Sequence, residues 1–222
     1  MIEADSIPAR TNGSGIPRRA YRMGMSDPYR RVLDALVAAG WNVRERAPDT
    51  ALSATELWPA ELRARYPNVP ASLTEFLGRI DQCENAGETA WFLTAADYAG
   101  NADSAWAWNE WERQELETFE GNDEETSKIR KFWKAYLPFY LDVGGDYAYF
   151  AVRVTEPAPK KKPLLWFLRE PPEPPYGAVV YGADVDLRGV SVVAASFPEF
   201  LDHLTTTLRD PTLEGPLTGL VQ

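Results

Sequence analysis

Residues 141–154 read Leu141-Asp142-Val143-Gly144-Gly145-Asp146-Tyr147-Ala148-Tyr149-Phe150-Ala151-Val152-Arg153-Val154, and the fold class turns on this stretch. Two extended arms flank Gly144-Gly145, and glycine permits the positive φ that a tight hairpin turn asks for. The stretch predicts a β-hairpin, and a hairpin is antiparallel. Before it, Thr89-Ala90-Trp91-Phe92-Leu93 is a short apolar run. After it, Ala178-Val179-Val180-Tyr181 and Val190-Ser191-Val192-Val193 make a second pair around a polar loop with Gly182 and Gly189.

Four segments place large apolar groups at i, i+3, i+4 and i+7, the spacing that lines one helix face. They are Tyr29/Val32/Leu33/Leu36, Leu73/Phe76/Leu77/Ile80, Ile129/Phe132/Trp133/Tyr136 and Phe197/Phe200/Leu201/Leu204. The first has Asp27 as N-cap, Pro28 in the first turn and Gly40 as its stop. Ser72 before Glu75 and Ser196 before Glu199 have capping-box spacing. Helices and hairpins alternate without a βαβ rhythm. The expected fold is therefore α+β, with a single mainly antiparallel sheet flanked by helices.

With 222 residues, 45% of them apolar and eight Trp, the chain can fill one sizeable core. Residues 1–25 carry four Arg without periodicity and read as a flexible tail, so the domain is expected over 26–222. Subtracting the tail's four Arg and two acids leaves 19 basic against 31 acidic residues in the body, more acidic than the net −10 of the whole. Such a surface repels phosphate backbones and anionic lipid, and a basic protein suits it better. The tail lacks the apolar stretch of a secretory signal, and no run of about 18 apolar residues could span a membrane. One cysteine, Cys83, makes no internal disulfide. A cytoplasmic location is expected.

Residues 155–175 hold seven of the eighteen prolines and the run Lys160-Lys161-Lys162. Missing donors and fixed φ make this a poor core element. It reads as an excursion from the domain, either a stiff linker or a docking ligand.

Catalytic chemistry has little to work with. A single His, His203, and a single Cys leave no zinc set and no supported nucleophile pair, and both read as packing or surface residues. No nucleophile elbow, phosphate loop or dinucleotide fingerprint occurs. Asp142/Asp146 and Asp184/Asp186 could in principle hold Mg²⁺ and support a metal-dependent hydrolase, but acids beside glycine also serve as turn residues. No catalytic residue, metal or cofactor is expected.

The prominent feature is Glu110–Glu125, where eight acids face one base, Arg113, just after Trp106, Trp108 and Trp111. On a helix from about Asp103 to Phe119, Ala105, Trp108, Leu116 and Phe119 share a face, while Glu110 and Glu117 point away. Glu112 falls toward the apolar side and needs a partner there. This is either a solvated acidic helix with one Glu bonded to the core, or a recognition surface whose acids steer a cationic partner that aromatics anchor. The candidate partner-binding set is Glu110, Glu112, Glu115, Glu117 and Trp111, with Asp142 and Asp146 from the hairpin.

The order Trp108-Asn-Glu-Trp-Glu112, Phe132-Trp-Lys-Ala-Tyr-Leu-Pro-Phe139, Gly145-Asp-Tyr-Ala-Tyr-Phe-Ala-Val152, Gly177-Ala-Val-Val-Tyr181 and Ala195-Ser-Phe-Pro-Glu-Phe-Leu201 resembles the SUKH superfamily, the Smi/Knr-like proteins. Val69-Pro70 followed by Leu73 to Ile80 is similar to that family's early helix, so the resemblance covers roughly residues 60–205. It implies a compact α+β fold with one antiparallel sheet. It also implies a non-enzymatic binding protein: bacterial members are regarded as immunity proteins against polymorphic toxins, often nucleases or deaminases, and fungal relatives as regulatory hubs. The resemblance supplies no catalytic motif. The N-terminal extension and the Pro-rich excursion depart from shorter members, and a regulatory adaptor stands beside the immunity reading.

Overall fold

The structure is a computed structural model that describes residues 27–102, 106–145, 147–156, 173–183, 189–210, 212 and 217. Its order is α1 (Pro28–Ala38), β1 (Asn42–Glu45), α2 (Ala54–Leu57), α3 (Ala60–Arg65), α4 (Ala71–Leu77), β2 (Ile80–Glu84), β3 (Ala90–Phe92), α5 (Ala95–Tyr98), α6 (Glu110–Thr118), α7 (Asp123–Ala135), β4 (Tyr136–Asp142), β5 (Ala148–Arg153), β6 (Val179–Ala183), β7 (Ser191–Ala194) and α8 (Phe197–Arg209). The strands form one seven-stranded sheet in chain order, and every neighbouring pair is antiparallel. This is the α+β class read from the sequence. The expected tail lies outside the described residues, as does most of the Pro-rich excursion.

Helices cover both faces of the central strands, which is why β4 and β5 are buried almost throughout and read as near-continuous apolar runs. On one face Phe92, Phe139 and Phe150 meet Phe76 of α4 and Phe197 and Phe200 of α8. On the other, Tyr149 packs against Trp111 of α6 and Trp133 of α7, with ring centroids 5.7 and 4.9 Å away. Tyr149 stands opposite Gly182 of β6, and a Cβ at Gly182 would overlap the Tyr149 phenol ring. The missing side chain makes room for the ring.

The α1 reading holds in detail: Asp27 Oδ1 accepts from Tyr29 N at 3.1 Å, and Gly40 takes φ +89° just beyond the helix. Ser196 caps α8 by accepting from Glu199 N, while Glu199 accepts in return from Ala195 N at 2.8 Å. Other details differ. Ser72 caps nothing, because α4 begins at Ala71 behind Pro70, and Glu75 instead accepts from the Tyr29 hydroxyl at 3.0 Å. Ile80 and Tyr136 complete apolar helical spacings but open strands. For Tyr136, Pro138 two residues on disfavours helical backbone at Leu137. Pro138 itself fits a central strand because β3 pairs with β4 only over Tyr140–Asp142, and a register shift at Pro138/Tyr140 absorbs the missing donor.

The hairpin turn also differs. Neither Gly144 nor Gly145 has positive φ; Tyr147 does, at 49°. Gly144 is required for close approach, since a Cβ there would lie 2.5 Å from Thr89 Oγ1.

Arg153 is a buried charge in β5. Its guanidinium donates to Glu173 Oε2 at 2.6 Å and to the Thr155 carbonyl at 3.0 Å, and lies over the Tyr136 ring. A buried charge persists when paired in this way. The pair joins residues on the two sides of segment 157–172.

Two outcomes follow. Gly182→Ala costs about 1–3 kcal/mol through overpacking, whereas Gly145→Ala, with open space around its Cβ, stays within about 0.5 kcal/mol; urea unfolding distinguishes them, and equal effects would contradict the packing. Burial also raises Tyr66, Tyr98, Tyr140 and Tyr149 above the ordinary phenol value, and burial plus the Glu75 carboxylate pushes Tyr29 up to about 12. Above pH 10, the usual phenol value, the unfolded chain loses protons that the folded chain keeps, so stability falls as pH rises. Phenolate absorbance should rise together with loss of near-ultraviolet dichroism; a phenolate signal of all these tyrosines from a folded protein would contradict it.

Candidate functional site

The acidic stretch spans α6 and the first turn of α7. The expected start at Asp103 fails: α6 begins at Glu110, and residues 103–105 lie outside the described residues. Just ahead of it, Trp106 and Trp108 follow tertiary packing instead of helical continuity. Trp106 lies 6.3 Å from Trp111 and 5.9 Å from Tyr147, and Trp108 meets Tyr66 edge-on under the Arg65 guanidinium. Gly121 at φ +83° turns the chain from α6 into α7.

Anchoring by Trp111 sets which side of α6 faces the sheet. Trp111 is buried, so it belongs to the core and is not a partner anchor. One turn on, Glu115 is brought inward with it and is fully buried, a correction to its expected place on the surface. Its Oε2 accepts from Trp133 Nε1 at 2.5 Å. The signal available in the sequence was the inward Trp133, whose indole N–H needs an acceptor when buried.

Glu112 has the partner its position demanded. Arg65 Nη2 donates to Glu112 Oε1 at 2.8 Å and Oε2 at 2.7 Å, and also reaches the Trp133 carbonyl at 3.3 Å. The Tyr66 hydroxyl donates to that same carbonyl at 2.7 Å. Glu112 thus braces α3, α6 and α7 together and offers little to a partner. Glu110 is partly buried and bridges Arg113 at 2.8 Å. Asp142 Oδ1 accepts from Gly144 N at 2.9 Å, a turn role, and Asp146 lies outside the described residues. Of the six of these residues that are described, Glu117 alone is exposed; the structure does not bring those six together on one surface.

Exposed acids do continue past it: Glu120, Asp123 and Glu124 follow. Those of α7 have a structural reason. Asp123, Glu124 and Glu125 occupy its first turn and Lys134 its last, which complements the helix dipole. Lys128 bonds Glu124 at 2.8 Å and Glu125 at 2.9 Å, and the Lys128 ammonium holds the Glu124 carboxyl below its usual value. Glu117 and Glu120 lack such a reason. They sit at the C-terminal end of α6, where no basic residue occupies the last turn and the dipole disfavours a carboxylate.

Beside the N-terminal end of α6, a cleft of about 560 Å³ opens over β1–β3, with Arg44, Gln82, Glu84, Trp91, Asp97 and Trp106 among its lining residues. The Asp97 carboxylate is committed to α5, accepting from Thr94 N and Oγ1, each at 2.7 Å. Cys83 is buried under the cleft floor, and burial pushes its thiol far up, so it is not a thiolate nucleophile. Among the described residues no three of His, Cys, Asp and Glu group to hold a metal ion, and no helix is long and apolar enough to cross a membrane. Asp184 and Asp186 lie outside the described residues. His203 is exposed on α8 near the Val193 carbonyl.

No protein-family model matches the chain, and no curated protein matches it.

Glu115→Lys buries an unpaired charge against the Trp133 indole and should cost at least about 3 kcal/mol or prevent folding. Glu117→Lys, on the exposed side of the same helix, should change stability by no more than about 0.5 kcal/mol. Chemical denaturation of the pair tests the inward placement of Glu115, and similar small effects at both sites would contradict it.

Proposed function

We propose that this chain is a non-enzymatic protein-binding module of the SUKH type, a cytoplasmic immunity protein that binds and neutralises a cognate bacterial toxin domain such as a basic nuclease or deaminase. The single observation that carries this reading is the pair Glu117 and Glu120. These carboxylates stand at the end of α6 where they oppose the helix dipole, so stability does not account for them. Local choices that run against the fold's own preferences concentrate at functional sites. With the exposed Asp123 and Glu124 of the first turn of α7 they make residues 117–124 a negative rim, and the net charge of −10 gives it long-range reach.

The mechanism is occlusion. A basic toxin domain is attracted to the acidic rim, which speeds encounter, and the rigidly backed α6–α7 pair then covers the toxin's substrate-binding surface. The chain itself makes and breaks no bond. The α+β sheet architecture fits the SUKH resemblance of residues 60–205.

Co-expression with the product of the neighbouring gene tests the assignment: survival of cells carrying an otherwise lethal toxin supports it, and continued killing contradicts it. With that toxin in hand, the double variant Glu117→Lys/Glu120→Lys should slow association by about tenfold or more at low ionic strength while leaving the unfolding midpoint unchanged or slightly raised. Unchanged association would remove this rim from the interface.

A further inference from the structure

The cleft beside α6 combines carboxylates with aromatic carbon. We infer that it receives an arginine side chain projected by a partner polypeptide, an inference that rests on the protein-binding function proposed above and specifies its partner's chemistry. Four carboxylates, Asp81, Glu84, Glu88 and Asp97, line it against one guanidinium, Arg44. Asp81 is matched by Arg46, and Asp97 is held by Thr94. Glu84 and Glu88 therefore supply the uncommitted negative charge, Glu84 with its Oε1 steadied by the Gln82 amide.

Trp91 gives an independent indication. The residue is only partly buried, yet its Nε1 is shielded from solvent and has no hydrogen-bond partner. What Trp91 shows to the cleft is ring carbon, which attracts cations and offers no donor to an anion. Trp106 adds a second aromatic wall. A planar guanidinium suits such a site better than an ammonium, because it stacks on an aromatic ring and still bonds a carboxylate through two N–H groups. A metal ion is a poor occupant, since these acids do not cluster as ligands. The volume of about 560 Å³ also accommodates the residues flanking one arginine, which favours a polypeptide segment over a free ion.

The experiment follows the tryptophan indole N–H resonances of the full ¹⁵N-labelled chain during titration with acetyl-Gly-Arg-Gly-amide, the same peptide with citrulline, and the same peptide with lysine. The Trp91 and Trp106 resonances should shift saturably with arginine and stay in place with citrulline, and Glu84→Gln should weaken arginine binding by about fivefold. Motionless indoles, or equal shifts from citrulline, would overturn the site. Lysine binding as tightly as arginine would overturn the guanidinium assignment. Arg18→Gln/Arg19→Gln moving the same resonances before any peptide is added would make the chain's own arginines the occupant and likewise overturn it. The broader reading fails separately: if the arginine peptide has no effect but the neighbouring gene product still binds, the cleft is wrong and the binding function stands. If the peptide binds and that product does not, the cleft stands and the immunity reading falls.

Discussion

The hydrogen bond from Trp133 Nε1 to the buried Glu115 carboxylate fixes how α6 and α7 meet the sheet. A carboxylate without access to solvent is costly unless bonded, so the inward side of α6 depends on this pairing. Around it, Tyr149 is held between Trp111 and Trp133 on one side and the bare backbone of Gly182 on the other. Arg65 then ties Glu112 to the Trp133 carbonyl. These contacts give α6 and α7 a single orientation, and that orientation decides which of their many acids face solvent.

Seen this way, acidity in the sequence has three distinct physical origins. Glu112 and Glu115 serve the interior, Asp123 to Glu125 complement the α7 dipole, and Glu117 and Glu120 serve neither. Only the last group calls for a reason outside folding, and it carries the proposed binding function. The cleft beyond Trp106 adds carboxylates set between the aromatic walls of Trp91 and Trp106, the combination that suits an anchoring role.

Much of the fold was legible because its central pieces are locally consistent. Asp27 and Gly40 bound α1, the apolar runs of β3, β5, β6 and β7 are found where they were read, and the chain-order meander follows from successive hairpins. The edge strand β1 and its neighbour β2 were not legible. Asn42-Val-Arg-Glu45 and Ile80-Asp-Gln-Cys-Glu84 are polar because one of their faces borders the cleft, so they lack an apolar strand signature. The inward turn of Glu115 was missed for a related reason. Periodicity ranks a glutamate as outward, whereas the position of Trp111 and the indole of Trp133 override that preference through contacts distant in sequence. Glu112 could be read because its conflict with the apolar face was visible within one helix.

The central claim is that the outer side of α6 and α7, with the adjoining cleft, is where another protein docks. Hydrogen–deuterium exchange of the full chain, alone and with the neighbouring gene product, tests this most directly. Slowed exchange at residues 117–122 and around Glu84 to Trp91 is the predicted result. Protection confined to β7 and α8, with those segments exchanging as in the free chain, would contradict the account.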